Sequence, residues 1–282
     1  MFTEEQQQSM HSSFSQALHG WEASPFKSRR HQLDIQRLQV EDRTQLYLVR
    51  TGEGQQVVAK RHSDWMTYFR ELRGFELLGS QAPIPRLIAA SDSNQFIVME
   101  YLPDSWKTET TPHLCEVAKA LGRLHACGSR NSRFLKSFSQ EATLGFLIRN
   151  TDSYAWVEDV EALREALSLS SLKLGESYVP IQLGDLKDGH LRAREGECAL
   201  IDLETLTVGG IEWFDILSLL NITPNKKLDA SDWVALVQAY IAGRDSVGEL
   251  ALSISDTLTT LHLTAVALGL PLSVSESIPL PC

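Results

Sequence analysis

The chain lacks the usual marks of a stapled, membrane-spanning or nucleic-acid-binding protein. Only four cysteines occur in 282 residues, Cys115, Cys127, Cys198 and Cys282, with no CxxC pair and no histidine at zinc-ligand spacing. Neither a disulfide framework nor a structural zinc site is therefore expected. Basic residues are in deficit: 26 Lys and Arg face 36 Asp and Glu, a net charge of -10. That balance excludes the phosphate-neutralising surface of a general nucleic-acid binder, and its ordinary use is solubility. Long apolar runs are missing too. The least charged stretch, residues 257–274, holds His262, several threonines and a Gly-Leu-Pro break, and reads as a core helix and its exit. The opening M-F-T-E-E-Q-Q-Q has no basic-plus-apolar leader pattern. These absences together lead us to expect a cytoplasmic protein with reduced thiols, bound to neither membrane nor nucleic acid.

What is present is an ordinary globular composition, 43% hydrophobic and 22% charged. A helix is expected over residues 3–18. Three β-rich runs follow, Leu33–Leu38, Gln45–Arg50 and Gln56–Lys60, with T-G-E-G turning between the last two. Helical spacing of Trp65, Phe69, Leu72 and Phe75 predicts a helix from about Asp64 to Leu78, buried along that stripe. Two more strands, Arg86–Ala90 and Gln95–Tyr101, lead to Leu102, and Pro103-Asp104 marks a boundary. Helices are then expected at roughly 112–127, 138–149, 154–168, 230–243 and 247–268, interrupted by a strand-loop-strand near 183–202. Strands first and helices afterwards predict a two-lobed α+β protein. Its antiparallel β lobe with one helix would span 1–102, and a larger helical lobe 103–282.

The chemistry concentrates between Leu183 and Asp215. There L-G-D-L-K-D-G-H-L is followed by A-L-I-D-L-E-T-L-T-V-G-G and E-W-F-D-I. Asp185 follows a glycine and precedes a D-G turn, while Asp202 closes an apolar run where a carboxylate needs a cation or hydrogen bonds. Two such aspartates suit phosphoryl transfer, one orienting a hydroxyl and the other holding Mg²⁺ against phosphates. Lys60, ending V-V-A-K, can reach phosphates as a point charge, and Glu71 on the next helix can hold it; an exposed strand lysine and a solvated glutamate are the bland alternatives. At Glu100 and Leu102, where a strand meets the boundary, backbone groups could bond an adenine edge. His125 in G-R-L-H shares a helical face with Leu114, Ala118 and Leu121 and reads as a packed core histidine. The acidic run 156–162 reads as a solvated helix face, or as a surface for a cationic substrate.

With these residues in order, the chain resembles the aminoglycoside phosphotransferase and choline kinase-like group, small-molecule relatives of the protein kinases. That group carries H-G-D-x-x-x-x-N, then a strand ending I-D-W-E, then a D-hydrophobic pair. Here Gly184-Asp185 matches the first, Ile201-Asp202-Leu203-Glu204 resembles the second, and Asp215-Ile216 matches the third. Val58-Ala59-Lys60 and Arg70-Glu71 are similar to its strand lysine and helix glutamate, and P-I-P-R, V-M-E-Y-L-P and L-G-R-L-H to the intervening segments. The resemblance covers roughly residues 35–245. It implies a protein-kinase-like fold and an ATP- or GTP-dependent, Mg²⁺-requiring kinase acting on a small-molecule hydroxyl, such as an amino sugar, aminoglycoside or amino alcohol. Asp185 would be the catalytic base, Lys187 would steady the γ-phosphate, and Asp202 would be the chief metal ligand. Lys60, paired with Glu71, would bind the α and β phosphates, and Asp215 would brace the catalytic loop.

The chain departs from that pattern in three places. Leu183 replaces the histidine before Gly-Asp, and the first hairpin turn, V-E-D-R-T, has no glycine. His190 stands where a metal-binding asparagine is usual; Mg²⁺ prefers hard oxygen ligands and imidazole softer ions, so His190 would ligate poorly, shift the preference toward Mn²⁺ or leave one metal site unused. Leu183 and His190 keep open a second reading, a pseudokinase-type nucleotide-binding or regulatory module without transfer.

Overall fold

The computed structural model describes residues 34–40, 44–50, 54–132, 142–223, 227–249 and 251–280. The helix expected over 3–18 lies outside them, as do most residues of both expected hairpin turns. The chain divides into two compact units. One takes the described residues up to Arg73 with Pro85–Leu102; the other takes Gly74–Ile84 and the described residues from Pro103 onward. This differs from a single break after Leu102, because the stretch after Arg73 is tied to second-unit elements. Asn131 Nδ2 donates to Leu77 O (2.7 Å), an Arg123 guanidinium N–H donates to Gln81 O (3.1 Å), and Leu200 N donates to Pro83 O (2.7 Å).

The first unit is an antiparallel sheet of β1 (Asp34–Val40), β2 (Thr44–Arg50), β3 (Gln56–His62), β4 (Leu87–Ser91) and β5 (Phe96–Glu100), in the order β1-β2-β3-β5-β4. Period-two alternation puts Val57 and Ala59 on the face where Tyr47, Val49, Phe96 and Val98 pack as an apolar core. Val58, Lys60 and His62 consequently share the other face. Helix α1 (Trp65–Leu78) begins after Asp64, whose carboxylate accepts the Thr67 N–H at 2.8 Å. Its buried face is not the expected stripe. Trp65 and Phe69 are 44% and 38% exposed, while Tyr68, Glu71, Phe75 and Leu78 are buried. The face is rotated because Glu71 is drawn inside by Lys60 and His62, which an apolar periodicity cannot register.

The second unit is mainly helical: α2 (Thr111–Ser132), α3 (Leu144–Arg149), α4 (Val160–Leu174), α5 (Trp213–Leu217), α6 (Leu219–Ile222), α7 (Ala230–Asp245), α8 (Ile254–Ala267) and α9 (Leu272–Ser275). Three expected helices shift with their caps. The Asp159 side chain accepts from Ala162 N, so α4 starts there and most of the acidic run 156–162 precedes it. Ser253 caps the Asp256 N–H, so α8 starts seven residues later than expected. The described part of the 138–149 stretch is helical only from Leu144, after the Thr143 cap. Helix α2 runs past its expected end to Ser132.

Between α4 and α5 come β6 (Ile181–Gln182), β7 (Leu191–Arg194), β8 (Glu197–Leu200) and β9 (Thr207–Val208), pairing β6 with β9 and β7 with β8. The β7–β8 turn uses Glu195 and Gly196, both at positive φ (54° and 85°). In β8, burial pushes the Cys198 thiol up to about 12, and Glu116 adds to the shift. Such a thiol is unreactive, and Cys115, Cys127 and Cys198 are all free. Among the described residues no helix is long and apolar enough to cross a membrane.

Candidate active site

In the first unit, Lys60 and Glu71 meet. Lys60 is 5% exposed, and its Nζ lies 3.2 Å from Glu71 Oε1 and 3.0 Å from Oε2. Central placement of β3 between β2 and β5 fixes the lysine, through the pairs Leu46–Lys60 and Lys60–Ile97. A histidine joins the pair. His62 Nε2 is 2.7 Å from Glu71 Oε2, close enough for an ion pair but not aligned as a hydrogen bond. Burial pushes the Glu71 carboxyl up, but Lys60 and His62 together outweigh it and hold it below the ordinary glutamate value. Sequence reasoning missed His62, although the signal was there: two residues beyond Lys60 on a strand, it must share that face.

At the end of β5, the Glu100 carboxylate accepts the Arg86 N–H at 3.1 Å, and the Glu100 N–H donates to Arg86 O at 2.9 Å. Leu102 follows just outside the strand, half-buried.

In the second unit the chain around Asp185 is held from below. The Asp215 carboxylate accepts the N–H groups of Leu183 (2.6 Å) and Gly184 (2.9 Å), the bracing expected of it. Thr205 completes the clamp, donating to Leu183 O at 2.8 Å and accepting from Asp185 N at 3.2 Å. Gly184 has φ 93°, and a Cβ there would press on Thr205 at 3.2 Å, so both conformation and space call for glycine. Thr205 had no sequence signal, since a threonine after Asp-Leu-Glu resembles any turn residue. Asp215 is itself fully buried and lies 2.9 Å from His125 Nε2. His125 is thus the packed histidine expected.

Held this way, Asp185 presents an exposed carboxylate, with Lys187 Nζ 2.5 Å from its Oδ2. His190 ties the two aspartates together: its Nδ1 is 2.8 Å from Asp185 O, and its Nε2 is 3.4 Å from Asp202 Oδ2. A carbonyl only accepts, so Nδ1 carries a proton, and Nε2 is the ring atom that faces the carboxylate. An oxygen and a nitrogen donor facing across that gap suit a divalent cation that tolerates imidazole. Asp202 does not end the strand as expected. It lies two residues beyond β8 with φ 69°, an uncommon backbone for a non-glycine residue. Leu203 after it is fully buried and packs so close to Gly74 that a Cβ there would lie 3.3 Å away.

An aromatic row lies in the same unit. Trp156, 55% exposed, meets Tyr154 and Phe214 edge-on, at centroid distances of 5.7 and 5.1 Å. Phe214 precedes Asp215, so covalent geometry and the Gly184–Asp215 bond keep its Cα within about 17 Å of the Asp185 Cα.

No family model and no curated protein matches the sequence. Solved structures do match in fold. A macrolide 2'-phosphotransferase from Brachybacterium faecium superposes with a TM-score of 0.56 at 14% identity, over 86% of this chain and 88% of that one. Choline kinase from Cryptosporidium parvum gives 0.56 at 14%, over 90% and 87%. Plasmodium vivax ethanolamine kinase gives 0.54 at 12%, over 95% and 83%. The chain therefore has the α+β, protein-kinase-like fold of these small-molecule kinases.

Proposed function

We propose that the chain is a phosphotransferase that moves the γ-phosphate of ATP or GTP to a hydroxyl of a small molecule. The observation that carries this reading is the His190 bridge, which brings the backbone of Asp185 and the carboxylate of Asp202 into one site. Asp185 orients the acceptor hydroxyl and takes its proton; Lys187 moves from that carboxylate to the transferred phosphoryl group. Lys60, fixed by Glu71, binds the other phosphates as a point charge. The backbone at Glu100 and Leu102 bonds the base. Asp202 and His190 would hold the divalent metal, Mn²⁺ or Mg²⁺, whose charge offsets that of the phosphates. The named activities of the structural neighbours support the same reaction class.

For the acceptor, the Tyr154–Trp156–Phe214 row, with Asp152, Glu158 and Asp159 nearby in sequence, favours a cationic amino sugar, aminoglycoside or amino alcohol. Trp156→Ala should then raise the acceptor KM about tenfold, roughly the 1.4 kcal/mol of one cation–aromatic contact, with kcat little changed. An unchanged KM removes the row from the site.

The reaction itself is tested by Asp185→Asn. Transfer of labelled γ-phosphate should fall by at least about a hundredfold while nucleotide affinity stays within about twofold, as for loss of a positioned general base. Equal transfer in the variant removes Asp185 from the mechanism. A second reading, nucleotide binding without transfer, is favoured by the Lys187 ammonium on Asp185. Metal-dependent binding with no transfer to any acceptor or to water would establish it.

A further inference from the structure

Beneath the Asp185 loop lies a buried polar chain that the reaction does not use directly. Arg244, Glu212, Tyr178, Tyr240, His125 and Asp215 are each at most 2% exposed. Arg244 on α7 donates to Tyr240 Oη (3.1 Å), to Glu212 Oε1 (3.2 Å) and to Tyr178 Oη (2.7 Å). Tyr178 in turn donates to Glu212 Oε2 at 2.9 Å. Tyr240 Oη lies 3.1 Å from His125 Nδ1, and His125 Nε2 lies 2.9 Å from Asp215 Oδ2.

The proton positions follow from what each group can do. A guanidinium only donates, so Tyr240 Oη accepts from Arg244. Burial pushes the Tyr240 hydroxyl well up, with Glu212 adding to the shift against Arg244, so it keeps its own proton. Among the described residues, the acceptor for that proton is His125 Nδ1. The other ring nitrogen then carries the hydrogen and donates to the Asp215 carboxylate, which only accepts. The opposite tautomer would bury the Tyr240 O–H without an acceptor and set a lone pair against a carboxylate. Each of those two faults costs more than a normal hydrogen bond gains.

We propose that Tyr240 is a positioning residue: with Arg244 it locks His125 as the neutral Nε2–H tautomer, which fixes Asp215 under the backbone N–H groups of Leu183 and Gly184. Its effect on turnover rests on the phosphotransferase reading; its effect on His125 does not. The relay has two branches. The Tyr240 branch reaches the loop, whereas the Tyr178 branch closes on Glu212. Removing either hydroxyl opens a similar hole in the same network, so the two variants separate positioning from stability.

The first arm of the test is ¹⁵N NMR of histidine-labelled protein at about pH 8, above the ordinary histidine range. The wild type should show His125, identified as the ring whose signals Tyr240→Phe alters, with Nε2 protonated and Nδ1 bare. Tyr240→Phe should change the Nδ1 signal or yield a tautomer mixture. A wild-type ring protonated at Nδ1 overturns the proposal. In the second arm, Tyr240→Phe should lower kcat about tenfold with nucleotide KM unchanged, whereas Tyr178→Phe should lose similar thermal stability and keep kcat. Equal kcat losses in both variants overturn the positioning role. A wild type without transfer defeats the functional reading, while the NMR arm still decides the tautomer.

Discussion

Lys60, His62 and Glu71 pose a problem that only their mutual contact resolves, since each alone would be costly to bury. Glu71 is 1% exposed and faces Lys60 at 3.0 Å and His62 at 2.7 Å. Removing one partner of such a set leaves an uncompensated charge inside, at a cost of about 3–5 kcal/mol. Glu71→Gln should therefore lower the urea midpoint markedly at neutral pH. The pH dependence has a definite sign. Lys60 and His62 hold the folded Glu71 below its unfolded value near 4.3. Its contribution is thus complete above that value and disappears as pH falls through the folded one. Between about pH 5 and pH 3, wild-type stability should drop more steeply than that of Glu71→Gln, which has no carboxylate to titrate. Parallel decline in both proteins would show that Glu71 is not the group holding the acid limb.

At the scale of elements, α2 and α7 cross at a pair of glycines. A Cβ on Gly122 would lie 2.1 Å from Tyr240 O, and one on Gly243 would lie 2.1 Å from Lys119 O. Both obstacles are helix backbone and cannot swing aside, so a methyl at either position must push the helices apart. Gly243→Ala should cost about 3 kcal/mol or more, the upper end for overpacking, read as a lower melting temperature. The displacement should also disturb the Tyr240–His125 contact, whose two residues lie one turn from these glycines. A Gly243→Ala protein as stable as wild type would mean the helices do not approach as described.

The same crossing shows where the sequence was legible and where it was not. The strands of the first unit, the lysine–glutamate pair and the Asp185–Asp202–Asp215 series follow from local pattern and spacing. The rotated face of α1 does not, because Glu71 is buried by partners on another strand. The starts of α4 and α8 turned on single capping residues, Asp159 and Ser253, within longer stretches of helical character. The clamp by Thr205 and the Arg244–Tyr240 relay join residues 20 and 115 positions from the groups they serve, and no local pattern encodes them. The tie of the stretch after Arg73 to the second unit is likewise a property of tertiary packing.

For the whole molecule, the net charge of -10 opposes a polyanion such as a nucleotide triphosphate. On the proposed reading, that repulsion is offset by cations, with roles for Lys60, for Lys187 and for a metal at Asp202 and His190. Nucleotide without metal should bind poorly, and the ion that restores binding should report on His190. At about 100 times its dissociation constant, a ligand stabilises the folded state by roughly 2.7 kcal/mol. In a chain of this size that is a rise of roughly 5–10 °C in melting temperature. With ATP or GTP, we expect a rise of that order with Mn²⁺, a smaller one with Mg²⁺ and none with chelator. His190→Asn exchanges an imidazole for a hard amide oxygen and should move the preference toward Mg²⁺. A shift independent of metal would take Asp202 and His190 out of nucleotide binding. An ion preference unchanged in the variant would leave Asp202 as ligand and His190 as the residue that ties it to Asp185.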